Sequence, residues 1–283
     1  MGRGAMHFLC CLKQVPDTAE VKIDPDTNTL IRSGVESIPN PYDLVALEEA
    51  IRLKERYSGR VTAISMGPPQ AEHSLREALS LGADEVILLS DRSFAGADTL
   101  ATSYTLVRAV ERLLRDHPVD LILCGKQAID GDTAQTGPGM ATRLGYTQLT
   151  YVVEVQWIDE KERQIQVKRK VEGGFEIIRG SLPALLTVEL ELAKPRRASL
   201  PLLIHSLRAE VKRWDSRTIE AEPEKLGLKG SPTWVQRIFS PPVREGGPKF
   251  YFQEDPPGAV EKSLEALLAD PSFAANLFSR WET

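Results

Sequence analysis

Short, mainly apolar runs alternate with segments of helical periodicity through the first two-thirds of the chain. The runs are Phe8 to Leu12, Val61 to Ser65, Glu85 to Leu89 and Leu121 to Leu123. A strand that is apolar at every position has both faces covered, as a central strand of a parallel sheet does. Between the runs, apolar residues return at helical spacing: Leu44, Leu47, Ala50 and Ile51 after Asp43, then Ala71 to Leu81 before Gly82, then Leu100 to Arg115 after Asp98. Asp43 and Asp98 read as N-caps, and Glu48 with Arg52 as an i,i+4 pair on the outer side of the first helix. Strands alternating with helices predict a doubly wound, mainly parallel Rossmann-like α/β sheet.

The pattern then changes twice. Val152 to Trp157 and Gln164 to Val171 alternate with period two and join through Asp159-Glu160-Lys161, which predicts an antiparallel pair. Gly173-Gly174 turns the chain into Phe175 to Arg179, and the apolar strand Leu185 to Leu190 follows Pro183. Val21 to Arg32 reads as an exposed hairpin about an Asp-Pro-Asp-Thr-Asn turn. From Ala193 onward Pro and Gly break regular structure, so the expected organisation is an α/β domain over 1–192 and an extended arm over 193–283. The arm carries Leu202, Leu203, Ile204, Trp214, Trp234, Val235, Ile238 and Phe239, apolar residues that a partner subunit would cover. It ends in a helix from Ala259 to Leu268 with one apolar side.

Charge and cysteine usage narrow the classes. The 283 residues carry a formal net charge of −5, which argues against a nucleic-acid binder that must displace counterions from phosphates. No apolar run reaches the ~18 residues of a membrane span, and Phe8 to Leu12 is too short for a signal-peptide core. Met1-Gly2 opens like a myristoylation site, but Met6 stands where Ser or Thr is required. Cys10, Cys11 and Cys124 sit in apolar strand contexts, as buried thiols of a reducing compartment do, and His7, His73, His117 and His205 make no ligand spacing with them. The expected location is the cytoplasm.

The chemistry gathers after the fourth run. Asp120 to Arg143 reads as a buried strand, a loop dense in Gly, Asp and Thr, and a helix starting near Thr136 or Gly137. Backbone N–H groups at such a helix start can receive a phosphate. Neither familiar phosphate loop is present, since Gly125-Lys126 is followed by Gln127. An ordinary strand-to-helix loop therefore stands beside nucleotide binding as a reading. A calcium loop fails at Ala134, where a third oxygen ligand is needed. Ser90 to Thr99 leads into a second hydroxyl-rich helix start, with Asp98, Thr99, Thr102 and Ser103 in its first turns, which helix capping alone would also explain. Asn40, between Pro39 and Pro41, is a candidate ligand contact or a turn residue.

Taken together these segments resemble the β (small) subunit of electron transfer flavoproteins, in its electron-bifurcating branch, over nearly the whole length. The carriers are Lys13-Gln14-Val15, Asn40-Pro41, Met66-Gly67-Pro68, Leu79 to Asp84, Gly125 to Gly137, Gly173 to Glu176 and Leu182-Pro183-Ala184. Three features point to that branch: Asp130 to Gln135, Ser90 to Ser103, and Leu226 to Thr233. The resemblance implies a heterodimer with an α subunit that holds the electron-carrying FAD, while the β subunit binds a second FAD or, outside that branch, AMP. It implies that Asp98, Thr99 and Thr102, with Ser90, Asp91, Phe94 and Gly96 of their loop, approach the flavin ring. Asn40 and Met66, with Cys11 beside them, and Gly125, Gln127, Ala128, Asp130, Gly131, Asp132, Thr133, Ala134, Gln135 and Thr136, would hold the adenosine and phosphates.

The side chains of Asp130 and Asp132 are expected to turn from the phosphates toward backbone or ribose hydroxyls. No catalytic acid, base or nucleophile and no metal is implied. NADH would be the donor, and an acyl-CoA dehydrogenase-like or quinone-linked oxidoreductase and ferredoxin or flavodoxin the acceptors. Pro195, Arg196, Leu200 and Pro201 resemble the segment that contacts partner dehydrogenases. Alternatives are the ordinary, non-bifurcating carrier with AMP and an adenine-nucleotide-binding regulatory protein without a redox role. An ATP-using ligase of similar fold would need a Ser-Gly-Gly loop, which the sequence lacks.

Overall fold

In the computed structural model, residues 5–17, 22–23, 30–31, 37–234, 236, 253 and 255–269 are described. One compact unit runs from Met1 to Ile238 and a second from Phe239 to Thr283. Every apolar run read from the sequence is a strand: β1 (His7–Leu12), β6 (Arg60–Met66), β7 (Glu85–Leu89), β8 (Leu121–Gly125) and β12 (Ala184–Val188). Between them, in chain order, come β2 (Gln14–Pro16), β3 (Lys22–Ile23), β4 (Leu30–Ile31) and β5 (Ser37–Pro39), then β9 (Thr147–Asp159), β10 (Gln164–Val171) and β11 (Gly174–Ser181). β13 (Lys212–Trp214) lies beyond Ala193. The helices are α1 (Pro41–Tyr57), α2 (Glu72–Leu81), α3 (Thr99–Leu114), α4 (Thr136–Leu144), α5 (Leu200–Arg208) and α6 (Pro256–Leu268).

Nine strands form one sheet in the order β11-β10-β9-β12-β8-β1-β6-β7-β13. From β9 to β13 all neighbours are parallel, and β10 and β11 add the antiparallel pair. Two cores fill its faces. Leu47, Ile51, Leu75 and Leu79 of α1 and α2 bury against one, and Val107, Val110 and Met140 of α3 and α4 against the other. This is a doubly wound sheet, and its strand order reverses between β1 and β8. In the expected hairpin, β3 and β4 pair antiparallel; the turn between them lies outside the described residues.

The compact unit does not end where the composition changes. β13 pairs with the sheet edge at β7, and Trp214 packs half-buried against the second core. Arg76 Nη1 donates to the Ser206 carbonyl at 2.6 Å, joining α2 to α5. Residues 215–233 lie against α3, where Tyr104 Oη accepts from Glu222 N at 2.9 Å and Arg115 forms a bidentate pair with Glu220. A partner subunit is therefore not what covers Trp214; the chain's own sheet does so. Exposed apolar groups remain on α5, at Leu200, Leu203, Ile204 and Leu207. Val235, Ile238 and Phe239 fall outside the described residues. In the second unit, Asp255 caps α6, and Val260, Leu264, Leu267 and Leu268 are exposed on it. Among the described residues no helix is long and apolar enough to cross a membrane.

Candidate functional site

Ligand crevices of doubly wound sheets open outside the carboxyl ends of the strands where the order reverses. Here the chain leaves β1 at Lys13 and β8 at Lys126, and the entrance to α1 lies between them. β2 pairs with β5, and Asn40 N donates to Lys13 O at 2.9 Å, which fixes Asn40-Pro41 beside the β1 exit. Pro41 opens α1 as its first residue, where a missing N–H costs nothing.

Asp43 therefore stands in the first turn of α1; the cap position belongs to Asn40. The Asp43 side chain is buried and turned into the crevice. Its Oδ2 accepts from Lys13 N at 2.8 Å and its Oδ1 from Gly125 N at 2.8 Å, so one carboxylate holds the ends of β1 and β8 together. Burial pushes this carboxyl up to about 6, against the pull of those two N–H groups. Asn40 holds the loop that follows: Nδ2 donates to Gln127 O at 2.8 Å and Oδ1 accepts from Ile129 N at 3.3 Å. Its amide shapes the loop and also donates toward the Asp43 carboxylate.

Within 126–135, Asp130 is bound by Lys13 Nζ at 2.6 and 2.8 Å, and Asp132 Oδ1 accepts from Gln127 Nε2 at 2.7 Å. The two carboxylates thus turn to side-chain donors, where backbone or ribose partners were expected; Lys13 and Gln127 are simply nearer. Asp132 (φ 49°) and Ala134 (φ 53°) are left-handed, which for Ala134 costs about 1–2 kcal/mol. Gln135 returns to the right-handed region, and no side chain caps α4. A left-handed residue followed by a right-handed one turns successive N–H groups to one side, an anion-binding concavity continued by the start of the helix. Gly131 has open space around it. Gly125 does not: a Cβ there would lie 2.4 Å from Tyr42 Cβ and 2.6 Å from Asp43 Oδ1. Gly125 serves the packing of α1 on β8.

Cys11 is the penultimate residue of β1 and Met66 ends β6, both against the second core. The thiols of Cys10, Cys11 and Cys124 are free and buried, and burial raises them all, that of Cys11 to about 12.

The second predicted half follows β7, also at a carboxyl end. Ser90 N donates to Trp214 O at 3.0 Å. Asp91 accepts from Ser93 N at 2.9 Å, Ser216 N at 3.0 Å and Ser216 Oγ at 2.6 Å, bonds that hold its carboxyl down at about 2. Phe94 is buried in the second core. Gly96 is left-handed, and a Cβ on it would meet Leu228 at 2.6 Å. Asp98 Oδ1 caps α3 through Leu100 N and Ala101 N at 2.9 and 3.0 Å, and Oδ2 accepts from Thr233 N and Oγ1 at 3.2 and 2.8 Å. Burial opposes charge at Asp98, but these donors outweigh it and the carboxyl lies below its ordinary value.

An ionised carboxylate only accepts, so Asp98 offers no donor to a flavin ring. Asp91 and Asp98 latch the 215–233 segment onto the loop. The hydroxyls of Thr99 and Thr102 hydrogen-bond no group among the described residues and remain as donors. Asp43, Lys13, Ser216, Ser231 and Thr233 were not among the expected site residues, although Lys13, Ser231 and Thr233 lie in stretches that carried the resemblance. Asp43 carries a local signal, an acid two residues after Pro41, and it read as a cap.

In the remaining segment, the Arg196 guanidinium binds Glu48 Oε2 at 2.8 Å and Glu55 Oε1 at 2.6 Å, and Arg196 N donates to Glu48 at 3.0 Å. Glu48 is accordingly buried under this pair and Arg52, although the sequence placed it outside. Arg196 is committed to α1 and positions the segment, while Leu200, 69% exposed, leads the apolar stripe of α5.

Residues 27–219 match the electron transfer flavoprotein domain. The chain is 48% identical to Protein FixA of Azotobacter vinelandii, covering 93% of this chain and 94% of that protein. It is 50% identical to the electron transfer flavoprotein subunit beta of Thermoanaerobacterium thermosaccharolyticum over 87% and 92% of the two chains, and 48% identical to that of Clostridium acetobutylicum over 86% and 91%. With a family match over residues 27–219 and relatives this similar over most of their length, the chain belongs to the electron transfer flavoprotein family as a β subunit.

Proposed function

We propose that this β subunit holds an FAD of its own and, in a heterodimer with an electron transfer flavoprotein α subunit, splits electrons from NADH between two acceptors. The observation that carries the nucleotide part is the uncapped start of α4 behind left-handed Ala134, at the reversal between β1 and β8. The backbone there offers donors and positive dipole to a phosphate. The flavin part rests on Thr99 and Thr102, whose hydroxyls are unengaged among the described residues, at the carboxyl end of β7 and on the same side of the parallel sheet. FAD, when bound, supplies all the electron chemistry, hydride acceptance and one-electron delivery, and the protein orients it and adjusts its potential.

The residues present fit that division. Asn40, Asp43 and Gln127 shape the loop, the N–H groups at the α4 start bind the phosphates, and the two threonines donate toward the ring. With FAD bound, one electron would pass by way of the α subunit to an acyl-CoA dehydrogenase-like or quinone-linked oxidoreductase, and the other to ferredoxin or flavodoxin. Leu200 and Pro201, carried on the α5 entrance that Arg196 fixes, and Pro195 beside it offer the exposed apolar contact for a dehydrogenase. We assign the complex to the cytoplasm.

A specific observation favours a second reading, an ordinary carrier with AMP. Asp91 and Asp98 are fully engaged by Ser216 and Thr233, and Leu228 closes on Gly96, so much of the second half is occupied by the chain itself. Cofactor extraction from the purified heterodimer separates the two: two FAD and no AMP per heterodimer supports bifurcation, and one FAD with one AMP supports the carrier. A preparation without any adenine nucleotide overturns both.

A further inference from the structure

The entrance to α1 contains a group that nucleotide binding by itself does not account for. A first-turn helix residue is ordinarily solvated or caps its own helix. Asp43 does neither: its carboxylate is buried, and each oxygen takes the backbone N–H of a different strand end, Lys13 N and Gly125 N, both at 2.8 Å. These two N–H groups belong to the first residue after β1 and the last residue of β8. They flank the point where the sheet order reverses. Lys13 then reaches forward to Asp130, and Gly125 opens directly into the loop. Both walls of the crevice therefore hang from one side chain.

We infer that Asp43 is the positioning residue of the nucleotide site, a buried carboxylate clasp that sets the spacing between the β1 and β8 ends and so aims the loop's backbone N–H groups. The inference rests on the nucleotide reading of that loop. The chemistry of the clasp dictates how it opens. An ionised carboxylate accepts on both oxygens, whereas protonation turns one oxygen into a donor facing an N–H and forfeits one of the two strand ends. Burial brings that event to about pH 6.

The other charged and titratable groups around it do not mimic this. Cys10, Cys11 and Cys124 are held as neutral thiols by burial, Lys13 is a cation paired with Asp130, and Lys126, over the neighbouring Tyr42 ring, is paired with Glu189. Release of the nucleotide should therefore be acid-sensitive, and an amide at position 43, which carries one acceptor oxygen and no titration, should leave the crevice partly open at every pH.

The test is calorimetric titration of AMP and FAD into the heterodimer stripped of bound nucleotide, from pH 7.5 to 5, for the wild type and Asp43→Asn. The expected result for the wild type is affinity that falls tenfold or more on acidification. Asp43→Asn should bind at least tenfold more weakly at pH 7.5, with that gap closing by pH 5 and thermal stability retained at pH 7.5. Comparing the two profiles cancels titration of the ligand's own phosphate and of other side chains. Overlapping profiles would overturn the clasp. So would a constant gap, which marks Asp43 as merely structural. If Asp43→Asn does not fold, FAD decides with the wild type alone, since its pyrophosphate does not titrate in this range: a flat profile overturns the clasp and a fall centred near pH 6 upholds it. No binding of either nucleotide by the wild type at any pH would instead remove the nucleotide reading itself.

Discussion

The loops after β8 and after β7 make an instructive pair. Both carry Asp, Gly and Thr ahead of a helix at the carboxyl end of a parallel strand, and in sequence both read as ligand loops. After β8 the polar side chains bond one another and the α1 entrance, through Asn40, Lys13–Asp130 and Gln127–Asp132, while the helix start is left uncapped. After β7 the carboxylates are consumed by the chain's own later residues: Asp98 caps α3 and holds Thr233, and Asp91 holds Ser216. The lesson is that similar composition at a helix start says where donors and acceptors are, but whether they are free depends on what folds back over them.

The sharpest way to break the comparison is through glycines. Gly125→Ala inserts a methyl 2.4 Å from Tyr42 Cβ and should cost about 3 kcal/mol, whereas Gly131→Ala, in the same loop with nothing within 4 Å, should stay within about 0.5 kcal/mol. Chemical denaturation of the two variants measures both. Equal effects would mean the loop, and not the strand end, bears the constraint.

Acid distinguishes the loops next. Asp43 is raised from 3.8 to about 6, so its charged form is a cost present at neutral pH and relieved as pH falls through 6 toward 4, a difference of about 3 kcal/mol. Asp91 is lowered to about 2, so its contribution is present above pH 4 and is lost only below that. Thermal melts of the wild type between pH 7.5 and 5 should show a gain that is smaller in Asp43→Asn and kept in full by Asp91→Asn. Buried Glu49, raised to about 7 by desolvation, adds to the gain in all three proteins.

Smaller effects sharpen the second loop. Asp98→Ala should lower stability by about 1–2 kcal/mol through the lost cap and latch. Thr99→Ala and Thr102→Ala should leave the melting temperature in place and move the bound flavin's absorbance spectrum; unchanged spectra in both would remove the ring from this loop. Smallest of all, Lys13→Met breaks an ion pair that is half exposed on the lysine side and should cost under about 1 kcal/mol. A larger loss in denaturant titration would show that Lys13–Asp130 is a structural tie of the β8 loop.

Much of this was legible beforehand. The mainly apolar runs at 8–12, 61–65, 85–89 and 121–123 and the helices between them determined the doubly wound sheet, because a strand covered on both faces is predominantly apolar and a covering helix must repeat near 3.6. The Gly-, Asp- and Thr-rich stretch also marked where a ligand loop lies, since backbone donors at a strand-to-helix turn need few side chains. What the sequence could not assign was who bonds whom. Asp43 with Gly125, Asp98 with Thr233, Asp91 with Ser216 and Arg196 with Glu48 join positions 82 to 148 residues apart. No local pattern records such partners. The arm past Ala193 shows the same limit: its Pro and Gly content announced irregular structure, yet β13 completes the sheet edge. A strand of three residues is stabilised by the neighbour it finds, and that neighbour exists only once the chain has folded.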